Sequence, residues 1–113
     1  MKLLIVEDNA SVRRIIKSFA AKFADEIFEC VDGDESLLLY RDQKPDYVLM
    51  DINLGETDGI EATRKIIQFD SQAKVIIVTN YDEADLRQLA DEAGAVGFVP
   101  KENLNLLNTI LKD

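Results

Sequence analysis

The sequence predicts one α/β domain over residues 1–113, a doubly wound parallel sheet of five strands alternating with five helices. Three observations predict it. Leu3-Leu4-Ile5-Val6, Tyr47-Val48-Leu49-Met50 and Lys74-Val75-Ile76-Ile77-Val78 are short, nearly unbroken apolar runs, the pattern of strands covered on both faces. Between the strands, apolar residues recur at three- and four-residue spacing, the period of an amphipathic helix. Each strand-to-strand link is long enough for a helical crossover, which makes the strands parallel.

The first strand stops at Glu7-Asp8-Asn9, where Asp8 or Asn9 can cap the helix that follows. That helix carries Val12, Ile15, Ile16, Phe19, Ala20 and Phe23 as one stripe, with Arg13, Arg14, Lys17 and Lys22 on its outer face. Ile27–Val31 is more mixed in polarity and belongs at a sheet edge. Asp32-Gly33-Asp34 signals a turn and cap, Leu37, Leu38 and Tyr40 a short helix, and Lys44-Pro45 its end. The central strand ends on Asp51, and a loop runs from Ile52 to Thr57. Ile60, Ile66, Ile67 and Phe69 mark a third helix, and the fourth strand stops at Thr79. A helix over 82–92 uses Leu86, Leu89 and Ala90 as its apolar side, with Gly94 as its stop. Val96–Val99 is a short fifth strand ending at Pro100-Lys101, and a last helix holds Leu104, Leu107, Ile110 and Leu111.

The composition narrows the function. A net charge of −9 without a basic block argues against direct binding of nucleic acid and favours metal cations or basic protein surfaces as partners. No histidine is present, so the usual general base and zinc ligand are absent, and any chemistry must run on carboxylates, hydroxyls, lysine and backbone. The single Cys30 reads as a small core residue in a reducing compartment. No apolar run approaches a membrane span, and the N-terminus reads as a strand rather than a signal peptide, which points to the cytoplasm.

Parallel strands bring their carboxyl ends to one side of the sheet, the side on which open α/β sheets bind ligands. Four of the five ends carry complementary groups: Glu7-Asp8, Asp51, Thr79 and Lys101. Alone, each is an ordinary helix cap, turn residue or surface charge. Together the three carboxylates repel one another, by about 4 kcal/mol per pair at ~4 Å and an effective dielectric of 20. Without a cation the cluster is strained and some of its pKa values are raised, and a divalent cation relieves this. All-oxygen ligation by few protein groups suits Mg²⁺, which also bridges to phosphate. With a lysine cation and a threonine hydroxyl these are the parts of a phosphoryl-transfer site, in which one carboxylate can act as nucleophile and form an aspartyl phosphate.

The segments LLIVEDN, VLMDINLGETDGIEA, IIVTN and AGAVGFVPKENL, in this order, resemble a response-regulator receiver domain of bacterial two-component signalling across essentially the whole chain. The resemblance implies a flavodoxin-like fold with strand order 2-1-3-4-5. It makes Asp51 the phosphoacceptor, taking a phosphoryl group from a sensor histidine kinase or a phosphotransfer protein. It makes Asp8 and Asp51 the Mg²⁺ ligands, with Glu7 acting through bound water and Asn53 through its backbone carbonyl. Thr79 and Lys101 would contact phosphoryl oxygens, and Phe98 stands where the family has its switch aromatic. Thr79 and Phe98 would couple the site to a face made of the fourth helix, fifth strand and fifth helix, where a downstream protein binds. Arg13, Arg14 and Lys17 are candidates for docking the kinase. The protein would be a monomer or a dimer promoted by phosphorylation.

The sequence departs from the family pattern at several points. Gly55 stands where the family usually has proline, which loosens that loop. Asn80 replaces a small residue beside Thr79 and is bulkier. Pro100 precedes Lys101, where the family often has proline after the lysine. Phe98 has no hydroxyl and would prefer the buried position.

Three readings are thus open. The chain is a phosphorylatable signalling switch rather than a conventional enzyme, a receiver-like interaction module that works without phosphorylation, or a Mg²⁺-dependent aspartyl-phosphate phosphatase. The last needs a second carboxylic acid two residues after its nucleophile, and that position is Asn53.

Overall fold

A computed structural model of the chain describes residues 1–55 and 57–111; Glu56, in the expected loop, and Lys112 and Asp113, at the end of the expected domain, lie outside the described residues. The five expected strands form one parallel sheet: β1 (Lys2–Val6), β2 (Glu26–Cys30), β3 (Tyr47–Met50), β6 (Val75–Thr79) and β7 (Gly97–Pro100). They lie in the order β2-β1-β3-β6-β7, which is 2-1-3-4-5 when the strands of this sheet are numbered alone. The edge position expected for the polar second strand is confirmed, with a shift of one residue towards the N-terminus.

Alternate strand residues feed two separate cores, which is why the runs are apolar at every position. Leu4, Val6, Val48, Met50 and Ile77 pack beneath α2 (Gly33–Gln43), α3 (Gly59–Phe69) and α4 (Ala84–Ala93), meeting Tyr40, Ile66 and Ala90. Leu3, Ile5, Leu49, Ile76 and Val78 face α1 (Ala10–Ala20) and the C-terminal segment, meeting Ile16, Leu107 and Leu111. Each such leucine or isoleucine contributes about 2 kcal/mol of transfer free energy.

Helix ends follow the cap signals. Asn9, Asp32 and Asp58 cap α1, α2 and α3 with their side chains, accepting from Val12, Glu35 and Ile60 N–H groups respectively. Gly94 ends α4 at φ 102°, a left-handed conformation that glycine adopts without a Cβ clash.

The structure corrects several local expectations. The loop over 52–57 contains a small antiparallel hairpin, β4 (Asn53–Leu54) with β5 (Thr57–Asp58). The last element is not one helix: a 3₁₀ turn (Lys101–Leu106) with non-helical Asn103 precedes a four-residue α5 (Leu107–Ile110). Asparagine favours turns over helix interiors, and three stand in this segment at 103, 105 and 108, yet Leu104, Leu107 and Leu111 still reach the core. Ile15, Leu38, Phe69 and Leu89, expected on apolar faces, are exposed. In α4 the small residues Ala90 and Ala93 make the buried seam instead of Leu89.

Candidate functional site

Strand register assembles the site. Val6 of β1 is paired with Met50 of β3, so Glu7 and Asp51 leave the sheet side by side. Thr79 of β6 is paired with Pro100 of β7, so Lys101 follows at the same edge. Backbone bonds continue past the strands: Glu7 N–H donates to the Cys30 carbonyl at 3.1 Å, and Asp51 N–H to the Val6 carbonyl at 3.0 Å.

Among the described residues, Glu7, Asp8 and Asp51 each offer a carboxylate oxygen within 4.8 Å of the others. Glu7 and Asp51 are buried and Asp8 is exposed. The Lys101 ammonium sits 2.5 Å from Glu7 Oε1 and 3.3 Å from Asp51 Oδ2. Burial is the main cause that raises the pKa of both carboxyls, and the Lys101 cation works against it. The Glu7 carboxylate is aimed by the Asn9 N–H, which donates to Oε2 at 3.1 Å. The backbone N–H groups of Ile52 and Asn53 beside Asp51 also act against the rise.

A cavity of about 330 Å³ opens over these groups, lined also by Asn53, Gly55, Asn80 and Tyr81. Thr79 is fully buried and is not part of that lining; its hydroxyl oxygen accepts from Tyr81 N–H at 3.3 Å. The donor set fits Mg²⁺: hard carboxylate oxygens at one open, solvent-connected site, with room for waters and a phosphoryl group.

The reading of the sequence did not single out Gly59, which sets the position of Asp51. A Cβ at Gly59 would lie 1.8 Å from the Asp51 carbonyl oxygen, and Gly59 N–H donates to the Ile52 carbonyl at 2.7 Å. The hairpin folds the chain back on itself so that the start of α3 buttresses the end of β3. Thr57 ties this turn to α2: its hydroxyl donates to the Leu54 carbonyl and accepts from Gly33 N–H. Asp58-Gly59 is visible in the sequence as a turn pair, but nothing local shows that it touches Asp51.

A strand-end carboxylate cluster on this topology agrees with comparison to known proteins. The family model described as "Response regulator receiver domain" matches residues 3–112. The chain belongs to the response-regulator receiver family. It is similar to the chemotaxis protein CheY of Bacillus subtilis (36% identical, covering 88% of this chain and 84% of the relative) and of Halobacterium salinarum (32%, covering 88% and 83%). Among solved structures it resembles a two-component response regulator of the LuxR family from Aurantimonas sp., with a TM-score of 0.87, 33% identity, and coverage of 97% of this chain and 84% of that one. It also resembles the BeF3-activated N-terminal receiver domain of RstA from Klebsiella pneumoniae, with a TM-score of 0.84, 27% identity and full coverage of both chains. Members of this family are signalling switches rather than conventional enzymes, and membership implies a histidine kinase as partner.

The other candidate residues of the receiver fall outside the acidic cluster. Phe98 is half-buried in β7, with the Arg87 guanidinium 4.5 Å from its ring centroid. Of the basic residues on α1, Arg14 is exposed, whereas Arg13 and Lys17 are both ion-paired with Glu29 of β2, at 3.2 and 3.0 Å. Cys30 is buried and its thiol pKa is pushed up to about 12, which leaves it protonated and unreactive. No helix among the described residues is long and apolar enough to cross a membrane.

Proposed function

We propose that the receiver accepts a phosphoryl group on Asp51 from a phosphohistidine, in a Mg²⁺-dependent reaction. The observation that carries this reading is the placement of the Asp51 carboxylate: buried, 3.3 Å from the Lys101 ammonium, and beside Glu7 and Asp8 at the mouth of the cavity. An Asp51 oxygen attacks phosphorus, the P–N bond breaks, and the imidazole nitrogen of the donor keeps the electron pair. Glu7 and Asp8 would hold the cation together with Asp51 and the Asn53 carbonyl. When bound, the cation neutralises the carboxylates and the charge that develops on the transferring group. Lys101 exchanges its ion pairs with Glu7 and Asp51 for a phosphoryl oxygen. Thr79 donates its hydroxyl to another, and its inward pull loosens the loop after β6.

The output is a change in the face formed by α4, β7 and the segment from the 3₁₀ turn to α5. Phe98 stands there beside exposed Val96, a surface suited to a downstream protein. On the kinase side, Arg14, with no ion pair among the described residues, is the candidate on α1 for docking. A kinase-fed receiver of this kind works in the cytoplasm.

The test is intact mass after incubation with Mg²⁺ and acetyl phosphate, wild type beside Asp51→Asn. The expected result is one added phosphoryl group that requires Mg²⁺ and is absent in the variant. No addition, together with no binding of Mg²⁺ or of a beryllofluoride mimic, would favour an interaction module that works without phosphorylation.

A further inference from the structure

Arg13 makes a contact that a docking residue does not need. Its side chain is 21% exposed, and it uses two separate donors. Nη1 donates to the main-chain carbonyl of Glu7 at 2.8 Å, and Nε pairs with Glu29 Oε1 at 3.2 Å. The Glu7 carbonyl belongs to the peptide group that joins Glu7 to Asp8, the point where β1 has ended and the two acidic side chains diverge. One end of Glu7 is already fixed, because its N–H donates to Cys30 of β2. Arg13 fixes the other end, and Glu29, also on β2, fixes Arg13. The planar fork of a guanidinium can hold a carbonyl and a carboxylate at once, which a lysine ammonium does with far less geometric control.

We propose that Arg13 is a positioning residue for the cation site, holding the Glu7–Asp8 peptide so that both carboxylates face Mg²⁺. This rests on the reading of Glu7, Asp8 and Asp51 as the cation site. Groups that orient metal ligands commonly contribute tenfold or more to affinity. Arg13 acts one step further back, through the main chain, and a loss of roughly fivefold is expected on its removal.

The sign of the effect separates this role from simple electrostatics. Arg13 is a cation near an acidic cluster, so deleting its charge should by field alone tighten the binding of Mg²⁺. Removing a positioning contact weakens it. Lys17 is the natural control: it carries the same charge and shares Glu29, and its ion pair is with Glu29 and not with Glu7.

The experiment is isothermal titration of the metal-free protein with Mg²⁺, comparing wild type, Arg13→Met, Arg13→Lys and Lys17→Met. Circular dichroism of each would confirm a folded sheet. Wild type should bind, Lys17→Met should bind equally or slightly more tightly, and both Arg13 variants should bind roughly fivefold more weakly. Arg13→Lys keeps the charge, so it carries the test if Arg13→Met fails to fold. Binding by the Arg13 variants as tight as wild type, or tighter, overturns the proposal while leaving the site reading intact. Absence of Mg²⁺ binding by wild type overturns the site reading and the proposal with it.

Discussion

Asp51 owes its position to neighbours more than to its own strand. Its carboxylate is paired with Lys101, and its carbonyl lies against Gly59 with no space for a Cβ. Gly59→Ala should therefore cost roughly 3 kcal/mol in urea unfolding, at the upper end for a single overpacked methyl, because the obstacle is backbone that cannot rotate away. A loss below about 0.5 kcal/mol would show that the hairpin relaxes freely around Asp51. The same scale explains why Asp51 was legible in the sequence and Gly59 was not. A charged residue at the end of an apolar run is anomalous on its face. A glycine after aspartate is ordinary until the fold shows what lies opposite it.

At the scale of elements, the loop after β6 and the edge strand β7 are joined by a three-part contact. Asp82 and Arg87 form an ion pair at 2.6 Å, and the same guanidinium covers the Phe98 ring. The pair lowers the pKa of Asp82 and raises that of Arg87. Asp82 lies three residues beyond Thr79, so movement of Thr79 is positioned to disturb the cover on Phe98. Arg87→Ala should uncover the ring at a cost of about 1 kcal/mol or less, the usual size of an exposed cation–π contact. NMR of the Phe98 ring is the check: its resonances should move towards averaged values, and an unchanged ring environment would show that Arg87 does not hold it. Burial preference alone placed this side chain inside in the sequence reading, whereas the fold leaves it half-buried at a sheet edge beneath a cation.

For the whole molecule, the site works against stability when no cation is bound. Glu7 and Asp51 have pKa values raised by burial, so between the unfolded values near 4 and their folded values the folded state binds more protons. Their contribution is present below the unfolded pKa and lost as pH rises through the folded pKa. Asp25, Asp70 and Asp82 have lowered pKa values and act in the opposite sense as pH falls, but they are common to wild type and Asp51→Asn and cancel in the difference. In EDTA, thermal melts should show Asp51→Asn gaining on wild type as pH rises from 4 to 8, because only wild type loses the contribution of the raised Asp51 carboxyl. Added Mg²⁺ should raise the melting temperature of wild type most at the alkaline end and that of the variant less. A difference that is flat with pH would mean that Asp51 is not held under desolvation strain.

The sequence by itself determined the strand–helix alternation, the buried runs, most of the helix caps, and the carboxylate–threonine–lysine set at the strand ends. These are local or periodic signals: a strand covered on both faces is apolar throughout, and a capping aspartate or asparagine acts within three residues. Only the tertiary structure decided which apolar helix residues face water, that Asn103 breaks the last helix into a 3₁₀ turn and a short α-helix, that Gly59 abuts Asp51, and that Arg13 reaches back to the Glu7 carbonyl. Those features depend on contacts between elements brought together by strand register and helix packing, and a single chain read in order carries no record of the partner that each residue will meet.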